Sequence, residues 1–550
     1  MSIKNVPEVQ EFNNGDKIWD HTFNTFHAKV YIPKSKLPGD IINFGYSAPY
    51  FLIFTDFIFT NENALSYAKT SKLSEIASAY DTSIVFINPL NAGGWKSAPE
   101  GIFEEIIENS KIHQYHKDGY AILNNRFTHT TEGYAIRGAI FRTFLIGNGD
   151  GADYIAKYLL KKITGAGLWG PADIAPTVCL LENLSIQPLN KRRDIPIISV
   201  GNSKLINETI SEKFDDCIFQ ESLDIPAAFK FMKQFIRWGW YGELLREIDF
   251  NEVNFIEEPC VVELKTSPDN QGDYAGSVTH KTGFISYYNK NVFDKGPVPL
   301  VLCFHGGGDS AKHIALVSSW WKVAHDHNFL LVCVEDHLNS TATEMMELIE
   351  ILKTKYRIDE KRIYASGFSM GGCKTWDLYQ EYPDVFAAVA PMDATFDVGC
   401  NLYGQPSVGL HGCGKINENI LVPVFYTGGE ETPLPELPFQ AEKCRARMEY
   451  VLKVNECTAN YNIKFEDQNK WENKIWGING DSVEKIEDKS RNSVLTINYF
   501  NSKDENIYTA FGSISGQGHE CRYHTCEQAW FFMSRFQRNK DKIEIHNCQL

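Results

Sequence analysis

Arg362-Ile363-Tyr364-Ala365-Ser366-Gly367-Phe368-Ser369-Met370-Gly371-Gly372 decides the fold of this 550-residue chain. Its first half is the apolar run of a buried strand. Its second half has the G-x-S-x-G-G spacing of a turn that lifts a serine off the end of that strand into a helix, expected over Cys373 to Tyr379. A serine hydroxyl is a poor nucleophile, so chemistry at Ser369 requires a strained turn, a neighbouring base and a helix N-terminus aimed at it. Glycines two positions to either side permit the turn. Upstream stands Val301-Leu302-Cys303-Phe304-His305-Gly306-Gly307-Gly308, a strand running into a glycine loop. Acyl transfer builds negative charge on a carbonyl oxygen, and free backbone N–H groups stabilise it by roughly 3 kcal/mol per donor. Gly306 or Gly307 is expected to supply one donor and Met370 the other. The two motifs, in this order, predict an α/β-hydrolase fold, a mostly parallel sheet with helices on both faces.

The base and the acid are sought in the order serine, carboxylate, histidine. The histidines after Ser369 are His411, His519, His524 and His546. His411 precedes the strand that should carry the acid, and His546 lies in a polar tail. His519 follows the alternating run Ile507 to Ile514 and a Gly516-Gln517-Gly518 turn, and it precedes the amphipathic stretch Gln528 to Arg538. It is therefore the expected base, with His524 nearer the surface. The acid should end the strand Val422-Pro423-Val424-Phe425-Tyr426-Thr427-Gly428-Gly429, which leads into Glu430-Glu431. Its task is to hold the imidazole tautomer and stabilise the imidazolium. Glu431, three residues past the first glycine, is favoured over Glu430, and both stay open.

Residues 1–250 repeat this organisation in outline, with strands expected over Phe51 to Phe57, Ser83 to Asn88, Phe141 to Ile146, Val178 to Leu181 and Ile195 to Val200. Helices are expected over Glu100 to Asn109, Tyr154 to Lys162 and Ala227 to Trp238. Gly147-Asn148-Gly149-Asp150-Gly151 copies the elbow spacing with glycine in place of the nucleophile, and residues 150–250 contain no histidine. The first half therefore reads as a degenerate α/β-hydrolase-like domain without catalysis. A phosphate-binding turn would need G-x-G-x-x-G, which this spacing lacks. The boundary with a catalytic domain, residues 251–550, is expected near 245–258, where Val261 to Leu264 and Gly283 to Tyr288 open a second sheet. Trp95, Trp169, Trp238 and Trp240 are candidates to line a carbohydrate or phenolic subsite, but tryptophans at such spacing are more often core. Residues 395–420 and 456–492, the latter with Trp471 and Trp476, are read as insertions outside the sheet that can overhang the site.

The segment Tyr356 to Gly372, followed by Tyr382-Pro383-Asp384-Val385-Phe386-Ala387-Ala388-Val389-Ala390-Pro391, resembles the polyhydroxybutyrate-depolymerase-type esterases, which share a fold with feruloyl and acetyl-xylan esterases. The resemblance covers about residues 290–540. It implies a serine carboxylesterase without a cofactor, with Ser369 as nucleophile, His519 as base, and Gly306/Gly307 with Met370 as oxyanion hole. The chain departs from that pattern in having a glutamate doublet where aspartate is commoner. It departs again in Gly516 to Cys521, which lacks the tryptophan of many relatives.

Composition narrows the alternatives. A net charge of −16 without a basic stripe argues against nucleic acid, since the cluster Lys191-Arg192-Arg193 is short. No run of about 18 apolar residues is present to span a membrane, and the first ten residues lack an apolar signal core, so a cytoplasmic protein is expected. The 13 cysteines are scattered, without zinc spacing, and read as reduced apolar side chains; Cys521 and Cys526 are close enough to touch. The expected partners are a small-molecule or oligomeric ester and, in assembly, a second copy of the chain. Two rivals remain. A serine peptidase of the prolyl-oligopeptidase type would carry a propeller in front, which the first half lacks. A binding protein with two decayed sites would not be expected to retain Ser369, His519 and the glycine loop together.

Overall fold

A computed structural model describes residues 8–34, 49–80, 82–107, 142–162, 165–167, 170–173, 175–188, 195–238, 243–246, 249–307, 309–432, 442–458, 480–489, 492–540 and 542–545. The chain separates into two compact units, Met1–Asp249 and Phe250–Leu550. Both are built on an α/β-hydrolase plan.

The first unit has a nine-stranded sheet. Its strands in chain order are β1 (Glu8–Glu11), β2 (Lys17–Thr22), β3 (Phe26–Ile32), β4 (Tyr50–Phe54), β5 (Ile84–Pro89), β6 (Thr143–Asn148), β7 (Val178–Glu182), β8 (Ile197–Val200) and β9 (Cys217–Gln220). They lie in the order β1-β2-β3-β5-β4-β6-β7-β8-β9. Pairing is antiparallel as far as β5 and parallel from there on. After β6 the chain turns directly into α1 (Asp150–Tyr154).

In the second unit the described residues form ten strands of one sheet. They are β10 (Phe255–Lys265), β11 (Thr279–Asn289), β12 (Val298–Phe304), β13 (Leu330–Val334), β14 (Ile358–Phe368), β15 (Ala388–Met392), β16 (Val424–Gly429), β17 (Ser482–Asp488), β18 (Ser493–Asn501) and β19 (Ile507–Ser515). Their order is β10-β11-β13-β12-β14-β15-β16-β19-β18-β17. The block from β13 to β19 is parallel, flanked on each side by antiparallel strands. From β2 to β9, the first sheet repeats the order and strand directions of the block from β10 to β19.

The central strands are covered on both faces, which is why they read as continuous apolar runs rather than alternating ones. Every residue of β12, β13 and β15 is buried. Two helices bear on the site: α2 (Met370–Glu381), which starts straight after β14, and α3 (Tyr523–Met533). Trp376 and Tyr379 of α2 enter the main core with Tyr426 and Phe511.

Several local expectations are corrected. The stretch read as a closing helix, Ala227 to Trp238, divides into a helix Ile225–Met232 and a strand Phe235–Trp238. The β-favouring Phe235-Ile236 pair ends the helix. Gln528 to Arg538 divides likewise into the end of α3 and a strand Phe536–Asn539. Tyr154 to Lys162 begins as the end of α1 and continues as a π-helical turn, Ile155–Leu159. Part of 456–492 belongs to the sheet after all, because Ser482–Asp488 pairs with β18 along its whole length. Its polar composition suits an edge strand. Residues 395–420 form no sheet strand, and their backbone docks on α2 through Gly399 N–H to Gln380 Oε1 at 3.1 Å. Trp95 is core, packed with Phe54 and Tyr154. Trp169, Trp240, Trp471, Trp476, Lys191-Arg192-Arg193 and His546 lie outside the described residues.

Candidate functional site

β14 and α2 meet at Ser369, whose backbone sits at φ 55°, ψ −121°. A non-glycine residue holds such a conformation only when its surroundings enforce it. Here the enforcement is close packing: a Cβ at Gly371 would lie 2.2 Å from the Phe304 carbonyl oxygen, so only glycine lets the elbow press against β12. The Ser369 N–H donates to the Met392 carbonyl at 2.9 Å, fixing the turn to the end of β15. α2 begins at Met370, so that residue's N–H belongs to the first turn, which has no intrahelical acceptor.

The structure brings His519 to this serine from 150 positions away in sequence, with Nε2 2.8 Å from Ser369 Oγ. The imidazole is buried, and Phe368 covers it with ring centroids 4.6 Å apart. Burial pushes the ring down to about 4, opposed by the nearby Asp309 carboxylate. The ring is therefore neutral at pH 7, as the role expected for it requires. The loop that carries it is held by Gln517 Nε2 donating to the Glu520 carbonyl at 2.9 Å. The buried Arg522 adds two bonds to the Glu520 carboxylate, at 3.0 and 2.5 Å. His411 lies elsewhere, 2.9 Å from Asp384, and His524 sits in α3, 3.8 Å from Asp488.

The glycine loop follows β12. His305 is fully buried, with Nδ1 2.7 Å from the Gly306 carbonyl and Nε2 2.6 Å from the Glu335 carbonyl. Gly306 is buried and Gly307 exposed. Gly306 is closed in by Phe368 and by Asp309, whose Oδ2 would lie 2.7 Å from a Cβ built there. His313 Nδ1 is 3.1 Å from Asp309 Oδ1.

The two glutamates follow β16. The Glu430 and Glu431 N–H groups donate to the Ile514 and Gln517 carbonyls, each at 2.9 Å. Glu430 Oε1 accepts from the Ser513 hydroxyl at 3.1 Å, and Glu431 is exposed. The doublet thus adjoins the chain leading to His519.

Two residues of this neighbourhood, Asp309 and Asp393, escaped the sequence reading, and His305 entered it only as part of the glycine-loop run. Asp309 is marked by its proximity to the glycines alone. Asp393 follows β15 and carries no motif. Cys521 and Cys526 do approach, with Sγ atoms 3.5 Å apart, and Cys521 Sγ is 3.3 Å from Met392 Sδ. Among the described residues no cluster of three or more metal-ligating side chains occurs, and no helix is long and apolar enough to cross a membrane.

The first unit carries the same elbow without its serine. Gly149 stands at φ 55°, ψ −126°, and its N–H donates to the Glu182 carbonyl at 3.0 Å, matching the Ser369 to Met392 bond. The Asp56 carboxylate occupies the neighbouring space, with Oδ2 2.8 Å from where a Cβ of residue 149 would stand.

No family model matches the chain. The bifunctional acetylxylan esterase/xylanase XynS20E of Neocallimastix patriciarum is 22% identical over 247 residues, covering 43% of this chain and 31% of that protein. Poly(3-hydroxyalkanoate) depolymerase C of Paucimonas lemoignei is 26% identical over 113 residues, covering 17% of this chain and 27% of that protein. The matches thus span less than a third of the length of these curated relatives. Among solved structures, acetyl xylan esterase from Aspergillus awamori aligns with a TM-score of 0.31 and 11% identity, covering 50% of this chain and 99% of that one. The resemblance drawn from the elbow and its flanks agrees with the names of these relatives.

Proposed function

We propose that the second unit is a serine carboxylesterase and that the first is its non-catalytic duplicate. The 2.8 Å contact between Ser369 Oγ and His519 Nε2, at an elbow facing the first turn of α2, carries this reading. His519 takes the serine proton as Oγ attacks the ester carbonyl. The Met370 N–H and that of Gly306 or Gly307 receive the negative charge of the tetrahedral intermediate. Its collapse, with His519 returning the proton to the leaving oxygen, releases the alcohol and leaves an acyl-enzyme. Water activated by the same imidazole frees the acid. Glu431 or Glu430 orients the imidazole. The relatives' names point to acetyl esters on sugars and to hydroxyacyl esters as substrate classes, small or oligomeric.

Hydrolysis of p-nitrophenyl acetate and labelling by a fluorophosphonate test the reading. Ser369→Ala should abolish labelling and lower kcat by at least about a thousandfold. Wild-type turnover in that variant would refute the assignment. Of Glu430→Gln and Glu431→Gln, the one with the larger loss of kcat marks the orienting carboxylate.

A further inference from the structure

Accepting the esterase reading, we propose that Asp393 is the positioning residue that assembles the site, joining through its carboxylate and backbone the chain segments that carry the nucleophile and the acid, on which the segment of the base packs. Its neighbour Met392 accepts the N–H of Ser369 at 2.9 Å. Its own N–H donates to Thr427 of β16 at 2.9 Å. Its Oδ1 accepts the Gly429 N–H at 2.7 Å, at the last residue of β16 before the glutamate doublet. Gly429, held in this way, packs on the chain just before His519: a Cβ there would lie 2.2 Å from the Gly518 carbonyl oxygen.

These bonds are made from a strained backbone, since Asp393 stands at φ 46°. A non-glycine side chain persists in that region only where its surroundings fix it. The side chain is 2% exposed, so its charge would be expensive to keep. Burial and, less strongly, the Glu520 carboxylate push its carboxyl well above the usual range, against the bond from the Gly429 amide. Tyr426, Cys444 and Cys521 also feel its field. An asparagine is therefore the natural stand-in: neutral, of the same shape, and able to accept from Gly429.

The first unit supplies an internal comparison. Asn183 occupies the matching place after β7 at φ 53°, and its N–H donates to Val200 of β8 at 3.3 Å. The strained backbone is thus common to both copies. The carboxyl that holds the end of β16 against the chain leading to a histidine belongs only to the second copy.

Asp393→Ala, Asp393→Asn and Ser369→Ala test this by steady-state hydrolysis of p-nitrophenyl acetate, by the rate constant of fluorophosphonate labelling, and by thermal melts showing that each variant is folded at the assay temperature. Asp393→Ala should lower kcat and labelling about 10- to 100-fold with KM changed less than about twofold, because the reacting groups lose alignment while the binding surface stays. Asp393→Asn should restore both to within about fivefold of wild type. A folded Asp393→Ala with wild-type kcat and labelling overturns the proposal. If Asp393→Ala does not fold, Asp393→Asn decides: wild-type-like activity supports positioning through the Gly429 amide, and inactivity of the folded variant overturns it in favour of a charged role. Activity surviving in Ser369→Ala would instead strike the esterase reading itself.

Discussion

His519 is held neutral by its surroundings rather than by distance from charge. Burial drives its ring down to about 4, and Asp309 is the anion that opposes the shift. In the unfolded chain the ring titrates at its ordinary 6.5, so stability falls as pH drops from 6.5 towards 4, where only the unfolded state takes up the proton. Catalysis follows the folded value. The labelling rate of Ser369 should stay level from pH 7 to about 5 and decline as pH passes through about 4. Asp309→Asn removes a stabilising anion from the imidazolium and should carry the acid limb to lower pH. A limb near 6.5 in the wild type, or an upward shift in Asp309→Asn, would show that the ring is solvated or that the carboxylate faces away from it.

At the scale of the element, the elbow was legible because its requirements are local. The glycines at 367 and 371 answer a close approach between backbones, and that constraint is written as spacing. The same holds for Gly147, Gly149 and Gly151, which announced a second elbow before its dihedral angles were known. The link between Ser369 and His519 was legible through strand order alone, as a histidine beyond the last parallel strand. The roles of Asp393 and Asp309 were not legible. Their meaning comes from loops brought together by separate strands, and no local pattern records such a meeting. The edge strand Ser482–Asp488 was missed because solvent on its polar face leaves little apolar alternation to read. Backbone shape without chemistry can be tested in the first unit. The double variant Ser369→Ala/Gly149→Ser places a hydroxyl on a backbone matching that of Ser369, with only the movable end of Asp56 in its way. It should remain unlabelled by fluorophosphonate, because residues 150–250 hold no histidine to serve that elbow and the Asp56 carboxylate stands beside the new side chain. Labelling at residue 149 would mean that the first unit retains a working base.

Across the whole molecule, two sheets of matching order each close their own apolar core. One gathers Phe51, Ile53, Phe86, Phe144 and Ile198, and the other Leu302, Val332, Ala365, Trp376 and Phe511. These cores fall in the separate compact units Met1–Asp249 and Phe250–Leu550. Each depends on a glycine that lets an elbow helix meet the central strand. A Cβ at Gly151 would lie 2.4 Å from the Phe54 carbonyl oxygen, and one at Gly371 would lie 2.2 Å from that of Phe304. In both cases the obstacle is backbone, which cannot swing aside, so alanine at either position should cost at least about 1–3 kcal/mol. In domains of 150–250 residues, a range that includes the first unit, that corresponds to about 2–4 °C per kcal/mol, and the larger second unit should shift by a similar or smaller amount. Calorimetry should resolve two transitions. Gly151→Ala should lower one of them and leave fluorophosphonate labelling of Ser369 intact, and Gly371→Ala should lower the other and abolish labelling. A single transition displaced equally by both substitutions would mean that the two cores melt as one cooperative body, and that the duplicate contributes to the stability of the site.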